Sequence, residues 1–365
     1  MFEPRKEIEH FEPYRPGKSI DQVKRELGLK RVVKLASNEN ALGPSPKAQS
    51  ALSRASSKMH LYPDGNSTRL REVLSRRLGV KTGEVILGAG SDELIELLGK
   101  TYLRPADDIV VSECAFIRYA MAGQLMGSRV VSVPMKDLTH DLSALAAAVT
   151  PRTKFVFVAN PNNPTGTYNT ASEVEDFLGR LPDSVLPVID EAYFEFARVR
   201  KDYPDSIDYF RKGRRLITLR TFSKIYGLAG LRVGYGVAPA DIVQTLDRVR
   251  PPFNVSSAAQ AAAEAALDDD AHVRKTVKLV EKEKARVAKV LKSMKIEWTP
   301  SAGNFLLLDV SPRRGEEVFQ ALLREGVIVR PLDEYGLPRH IRVTLGLPEE
   351  NDLFLKALKG VYSKP

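Results

Sequence analysis

Cysteine is almost missing from this 365-residue chain: Cys114 is the single one, so no intrachain disulfide can form. A lone thiol fits the reducing cytoplasm, which is the expected location. No apolar run approaches the ~18 residues that a membrane-crossing helix needs. Residues 1–20 are charged and proline-containing and have no apolar segment, so no signal peptide is expected there. The five histidines (His10, His60, His140, His272, His340) lie far apart without metal-ligand spacing, and no metal site is expected. Internal repeats are absent, and the only biased patch is a short alanine-rich stretch at 258–266.

What is present describes a globular enzyme-sized protein. Hydrophobic residues make up 43% of the chain, ample for a packed core, and the length suits about two domains. The formal net charge of +9 raises the possibility of a nucleic-acid binder. The basic residues are dispersed, however. Their densest run, 275–295, alternates with Glu281, Glu283 and the apolar Val277, Val280 and Val287, which reads as the solvated face of an amphipathic helix. Attraction of anionic small substrates explains the charge more simply.

Short apolar runs at 85–87, 109–112, 130–133, 155–159, 185–189, 216–219 and 233–237 alternate with helical patterns. They are too continuous for half-exposed strands and predict a buried, mostly parallel sheet between helices. Pro251-Pro252 ends this region. One long helical segment is expected over 257–295, then strands at 304–310, 327–330 and 340–344, with helices at 315–324 and from Glu349. The expected division is an N-terminal arm at 1–40 belonging to the small domain, a large domain at 41–253, and a smaller α+β domain at 254–365. In such sheets ligands gather at the C-terminal strand ends.

Three strand ends hold chemistry. After 85–87 comes Gly88-Ala89-Gly90-Ser91-Asp92-Glu93, a glycine turn into a helix with Ser91 as expected cap, either a phosphate site or an ordinary strand-to-helix turn. A dinucleotide fingerprint would need glycine where Glu93 stands. Asp190 closes the run at 185–189: it is either a helix or turn cap or a carboxylate whose burial is costly unless a cation, such as a protonated pyridine nitrogen, meets it. Tyr193 follows at hydrogen-bonding reach of a neighbouring phenolic oxygen. Lys224 follows 216–219 among small and apolar residues, where its amine becomes nucleophilic, and Thr221 and Arg232 flank it as phosphate ligands.

Asn163-Pro164-Thr165-Gly166, the segment from Asp190 to Tyr193, and Thr221-Phe222-Ser223-Lys224 with Arg232 resemble, in order and spacing, the signature set of the fold-type I pyridoxal-phosphate (PLP) aminotransferases. The resemblance spans nearly the whole chain. It implies an α/β fold with a large PLP domain and a small one. By position it implies that Lys224 holds PLP as a Schiff base and moves the substrate α-proton, and that Asp190 pairs with the pyridinium. Asn163 and Tyr193 would bond the ring oxygen, Phe116 would stack on the ring, and Ser91, Asp92 (through its backbone), Thr221 and Arg232 would hold the phosphate. Tyr62 matches a tyrosine that reaches the partner subunit's cofactor phosphate, which implies a homodimer.

Within that group the chain resembles the histidinol-phosphate aminotransferase branch. The matching pieces are Ser37-Asn38-Glu39-Asn40, Val329-Arg330-Pro331, Tyr335-Gly336-Leu337-Pro338 and Ile341-Arg342-Val343-Thr344. The implied reaction joins imidazole-acetol phosphate and L-glutamate to L-histidinol phosphate and 2-oxoglutarate, with Arg330, Arg342, Tyr14 and Asn38 reading the substrate. Asp333 and Glu334 depart from the branch, which more often has small residues there. Cys114 is likewise unexpected. An aromatic amino-acid aminotransferase and a threonine-phosphate decarboxylase remain alternatives on the same fold. A nucleic-acid binder would leave Lys224, Asp190 and Arg232 unexplained.

Overall fold

A computed structural model of the chain describes residues 2–9, 11 and 17–363. Its first eight strands are β1 (Val33–Lys34), β2 (Val85–Gly88), β3 (Asp108–Ser112), β4 (Arg129–Val133), β5 (Thr153–Ala159), β6 (Leu186–Asp190), β7 (Ile217–Thr221) and β8 (Gly234–Val237). The last seven form one sheet in the order β2-β8-β7-β6-β5-β3-β4. Strands β4, β3, β5, β6 and β7 pair in parallel, and β8 runs antiparallel to β7 and β2. Every apolar run anticipated at 85–237 therefore became a strand of this sheet.

Alternation along β5 explains why both faces are covered. Phe155 and Phe157 pack with the helices Ser91–Tyr102 and Ala240–Asp247, while Val156 and Val158 pack with Val174 and Phe177 of the helix Ala171–Arg180. Successive side chains of a strand point to opposite faces, so a strand apolar throughout must lie between two helical layers.

The remaining strands are β9 (Glu297–Thr299), β10 (Phe305–Asp309), β11 (Val327–Ile328), β12 (Arg330–Leu332) and β13 (Leu337–Thr344). They build an antiparallel sheet β12-β13-β10-β9, while β11 pairs in parallel with β1 and ties the N-terminal segment to the C-terminal part. Two expectations needed correction here. The helical segment at 257–295 is two helices, Ser257–Leu267 and Asp270–Ser293, because the Asp269 side chain accepts the His272 N–H and starts the second one. The run at 327–330 splits at Val329 into strands of two different sheets.

The amphipathic helix also has a less solvated polar face than its sequence suggests. Glu283 is only 1% exposed, gripped by Arg286 and by Asn351 Nδ2 at 2.8 Å. Among the described residues no helix is long and apolar enough to cross a membrane.

Candidate active site

The parallel strands β5, β6 and β7 end beside a cavity of about 590 Å³, which residues 36–39 and the strands β12 and β13 close from the other side. Its floor is Asp190, the last residue of β6. The carboxylate is buried, accepts the Tyr119 hydroxyl at 2.7 Å and the Ala192 N–H at 3.1 Å, and has no cation paired with it among the described residues. Burial pushes its pKa up to about 6, against the lowering by Tyr119. The Tyr119 hydroxyl is itself pushed well above its usual range, by burial and by the facing carboxylate.

Lys224 stands just past β7. Its Nζ donates to the Ser37 carbonyl at 2.8 Å and lies 5.8 Å from the centre of the Tyr193 ring. Burial, helped by the positive charge of Arg342 and Arg232, lowers its pKa to about 7. Near neutral pH a large fraction of this amine is uncharged and nucleophilic. Tyr193 is buried with its hydroxyl accepting from Asn38 Nδ2 at 2.8 Å. Asn38, at φ +55°, is locked by Thr344: its N–H donates to Thr344 Oγ1 at 2.9 Å and its Oδ1 accepts that hydroxyl at 3.0 Å.

The other end of the cavity is a cradle of donors. Gly90, at φ +85°, caps the helix Ser91–Tyr102 in place of Ser91, which is instead the first helical residue. The reason is steric. The backbone there takes a conformation that side-chain-bearing residues rarely adopt, and a Cβ on Gly90 would sit 2.5 Å from Arg232 Nη2. Gly234 is as constrained, since its Cβ would meet the Ser91 nitrogen at 2.4 Å. Arg232 Nη1 reaches Ser223 Oγ at 3.4 Å and its Nη2 the Ala89 carbonyl at 3.3 Å. Thr221 Oγ1 donates to Ser223 Oγ at 3.0 Å. The exposed guanidinium, two hydroxyls and the start of the helix Ser91–Tyr102 line the same end of the cavity, an arrangement whose chemistry suits an anion.

Phe116 lines the cavity and meets Tyr119 edge-on at 5.7 Å. Asp92 also lines it, with its carboxylate on Arg118 Nε at 2.6 Å. On the roof Arg342 is buried, donating to the Ala36 carbonyl at 2.7 Å and to Asn163 Oδ1, while its Nε has no hydrogen-bond partner among the described residues. Arg330 is its direct neighbour across the β12–β13 pairing and lies against Glu334. Asp333 turns away to Arg314 at 2.6 Å. Cys114 does not line this cavity; its thiol, raised by burial, donates to the Tyr335 carbonyl at 3.0 Å. Tyr62 stands outside it as well, 83% exposed and stacked on Phe253 at 4.7 Å. Tyr14 lies outside the described residues.

The chain that carries this cavity is similar to known proteins over nearly its whole length. The family model for "Aminotransferase class I and II" matches residues 30–358. The histidinol-phosphate aminotransferase of Moorella thermoacetica is 49% identical over 98% of this chain and 93% of its own. That of an Anaeromyxobacter species is 49% identical over 95% of each. The chain belongs to the class I and II aminotransferases, in the histidinol-phosphate aminotransferase family. Among solved structures, the Sinorhizobium meliloti histidinol-phosphate aminotransferase in complex with pyridoxal-5'-phosphate superposes with a TM-score of 0.88 at 28% identity, covering 98% of both chains.

Two members of this aminotransferase's cavity escaped the sequence reading. Tyr119 sits one helical turn past Phe116 with nothing local to betray that it faces a strand end 71 positions away. Ser223 was readable, as a small hydroxyl residue directly before Lys224 in the same strand-end turn.

Proposed function

We propose that this aminotransferase exchanges the amino group of L-glutamate with imidazole-acetol phosphate, yielding L-histidinol phosphate and 2-oxoglutarate, with PLP held at Lys224. The observation behind it is one line of complementary groups: an anion cradle, an amine of pKa about 7, and a buried carboxylate of pKa about 6 that lacks a cation. Those groups fit the cofactor's phosphate, aldehyde and pyridine nitrogen in turn. Ser91, the Asp92 backbone, Thr221, Ser223 and Arg232 would hold the phosphate. Phe116 would pack on the ring, while Asn163 and Tyr193 would bond its phenolic oxygen.

PLP, when bound, supplies an electron sink for negative charge at the substrate α-carbon. Asp190 would pair with the ring nitrogen and keep it protonated. Lys224 would be the amine that carries the cofactor and the group that takes and returns the proton at the substrate α-carbon, and its low pKa would suit both directions. Arg342 and Arg330 each offer a fork of donors to the anionic groups that distinguish the two substrates, a carboxylate and a phosphate ester. Asn38 holds Tyr193 in place from the N-terminal segment, and Tyr14 would close over the same space.

We read the chain as a homodimer in which Tyr62, exposed and remote from its own cavity, serves the partner's cofactor phosphate. Residues 1–40 and 254–365 would form the small domain against a large one at 41–253, in keeping with the β1–β11 pairing.

The test is the visible spectrum of the protein with PLP. A cofactor band should form, be absent in Lys224→Ala, and be discharged by L-histidinol phosphate at low concentration. Discharge by L-phenylalanine alone would assign the chain to aromatic substrates. A band that persists in Lys224→Ala would refute the site.

A further inference from the structure

The pairing of β12 with β13 sets Arg330 directly opposite Arg342 on neighbouring antiparallel strands. Directly opposed residues share a face of the sheet, and two like charges so placed destabilise it. Both guanidinium groups nevertheless line the cavity, with side chains 12% exposed for Arg330 and a residue 7% exposed for Arg342. Arg342 is accommodated by neutral acceptors, the Ala36 carbonyl and Asn163 Oδ1. Arg330 is accommodated differently, by the carboxylate of Glu334 four residues on, which is only 24% exposed.

Glu334 belongs to the short 3-10 turn Asp333–Tyr335, whose other acidic residue, Asp333, points to Arg314 instead. One carboxylate of the pair thus meets Arg330, from just outside the cavity lining, and the other meets Arg314. Glu39 and Asp92, which line the cavity, are already engaged by Lys34 and by Arg118.

We propose that Glu334 is a specificity-determining residue: it is a built-in counter-ion that reduces the charge the arginine pair offers to a substrate, and so sets the preference between singly and doubly charged anions. A monoanionic carboxylate can bind beside the Arg330–Glu334 pair at little electrostatic cost. A phosphate dianion must either displace Glu334 from the guanidinium or lie close to a like charge. The inference rests on the proposed role of Arg330 and Arg342 as substrate-anion ligands. It adds that Glu334 opposes the phosphate rather than assisting it.

The experiment compares wild-type holoenzyme with Glu334→Gln and Asp333→Asn. It measures kcat and KM for L-histidinol phosphate and for L-glutamate, and the competitive inhibition constants of inorganic phosphate and acetate. Glutamine keeps the size of Glu334 and its ability to accept from Arg330. Glu334→Gln should improve phosphate over acetate as inhibitor, and lower the KM for histidinol phosphate, by about tenfold, or about 1.4 kcal/mol. The kcat values should stay within about twofold, since the anion is held alike in the ground and transition states.

Asp333→Asn should leave the phosphate-to-acetate ratio where it is. A common rise in every KM and inhibition constant in Glu334→Gln would mean that Glu334 only braces Arg330, and would overturn the proposal. So would an unchanged ratio, or an equal change in Asp333→Asn, which would make the effect one of general surface charge. If histidinol phosphate proves not to be a substrate, the proposed function fails, and the phosphate-to-acetate ratio still decides the role of Glu334.

Discussion

Burial drives Asp190 and Lys224 in opposite directions, and each shift leaves a signed mark on stability. Asp190 rises from an ordinary 3.8 to about 6. Between those values the folded, cofactor-free chain keeps a proton that the unfolded chain has released, so stability falls as pH climbs through that window. A shift of this size is worth about 3 kcal/mol. Lys224 falls from 10.5 to about 7, so the unfolded chain holds the extra proton in that range and stability rises with pH. Urea unfolding of the cofactor-free protein across pH should show both slopes. Asp190→Asn should flatten the first and Lys224→Met the second; parallel curves for either variant would contradict the assignment. Tyr119→Phe tests the hidden partner. It removes the hydroxyl that holds Asp190 at 2.7 Å, and a hydrogen bond to a charged group contributes roughly 1.5–3 kcal/mol. Because that bond is present without the cofactor, Tyr119→Phe should lower the stability of the cofactor-free protein by roughly that amount, seen as a lower urea midpoint at neutral pH. Lys224 and Asp190 were legible because strand ends mark where ligands sit, and a charged residue closing an apolar run is conspicuous there. Tyr119 was not, because its partner is supplied by the stacking order of β3, β5 and β6, which no local pattern encodes.

At the scale of elements, apolar continuity located all seven strands of the large sheet, and what it missed was polar punctuation. Asp268-Asp269 interrupts an otherwise uniform helical pattern at 257–295, yet only the caught His272 N–H shows that a new helix begins. Asp269→Ala should destabilise the protein by about 1 kcal/mol, the usual worth of an N-cap, seen as a lower urea midpoint with an unchanged slope. A change in slope would instead indicate that the two helices unfold separately. The glycine turn before Ser91–Tyr102 reads as suited to a phosphate, but composition alone puts its cap on Ser91. Gly90 takes that place because Arg232 crosses too close for any Cβ. That is a tertiary contact between segments 142 positions apart. The Arg330–Arg342 pairing was likewise unreadable: both arginines stood in recognisable motifs, but which residue opposes which is set by the register of β12 on β13.

At the scale of the whole molecule, the described cavity gathers every proposed cofactor ligand except one. Tyr62 shares an exposed apolar patch with Met59, Leu61 and Phe253, and an amphipathic aromatic stack left 83% exposed at Tyr62 is the kind of surface that a second copy covers. If each site borrows Tyr62 from its partner, defects at Tyr62 and Lys224 must complement. A Lys224→Ala chain supplies an intact Tyr62 but has no amine; a Tyr62→Ala chain has the amine but donates no phenol. Within a hybrid dimer, the Tyr62→Ala chain's own site holds Lys224 and receives Tyr62 from its neighbour, while the other site lacks both. Random re-pairing makes about half of the dimers hybrid, each with one whole site of two, so about a quarter of wild-type activity should return. The assay belongs at limiting PLP, where loss of a phosphate contact is felt most. Activity no greater than the average of the two parents would place Tyr62 outside the partner's site and leave its stack on Phe253 as packing alone.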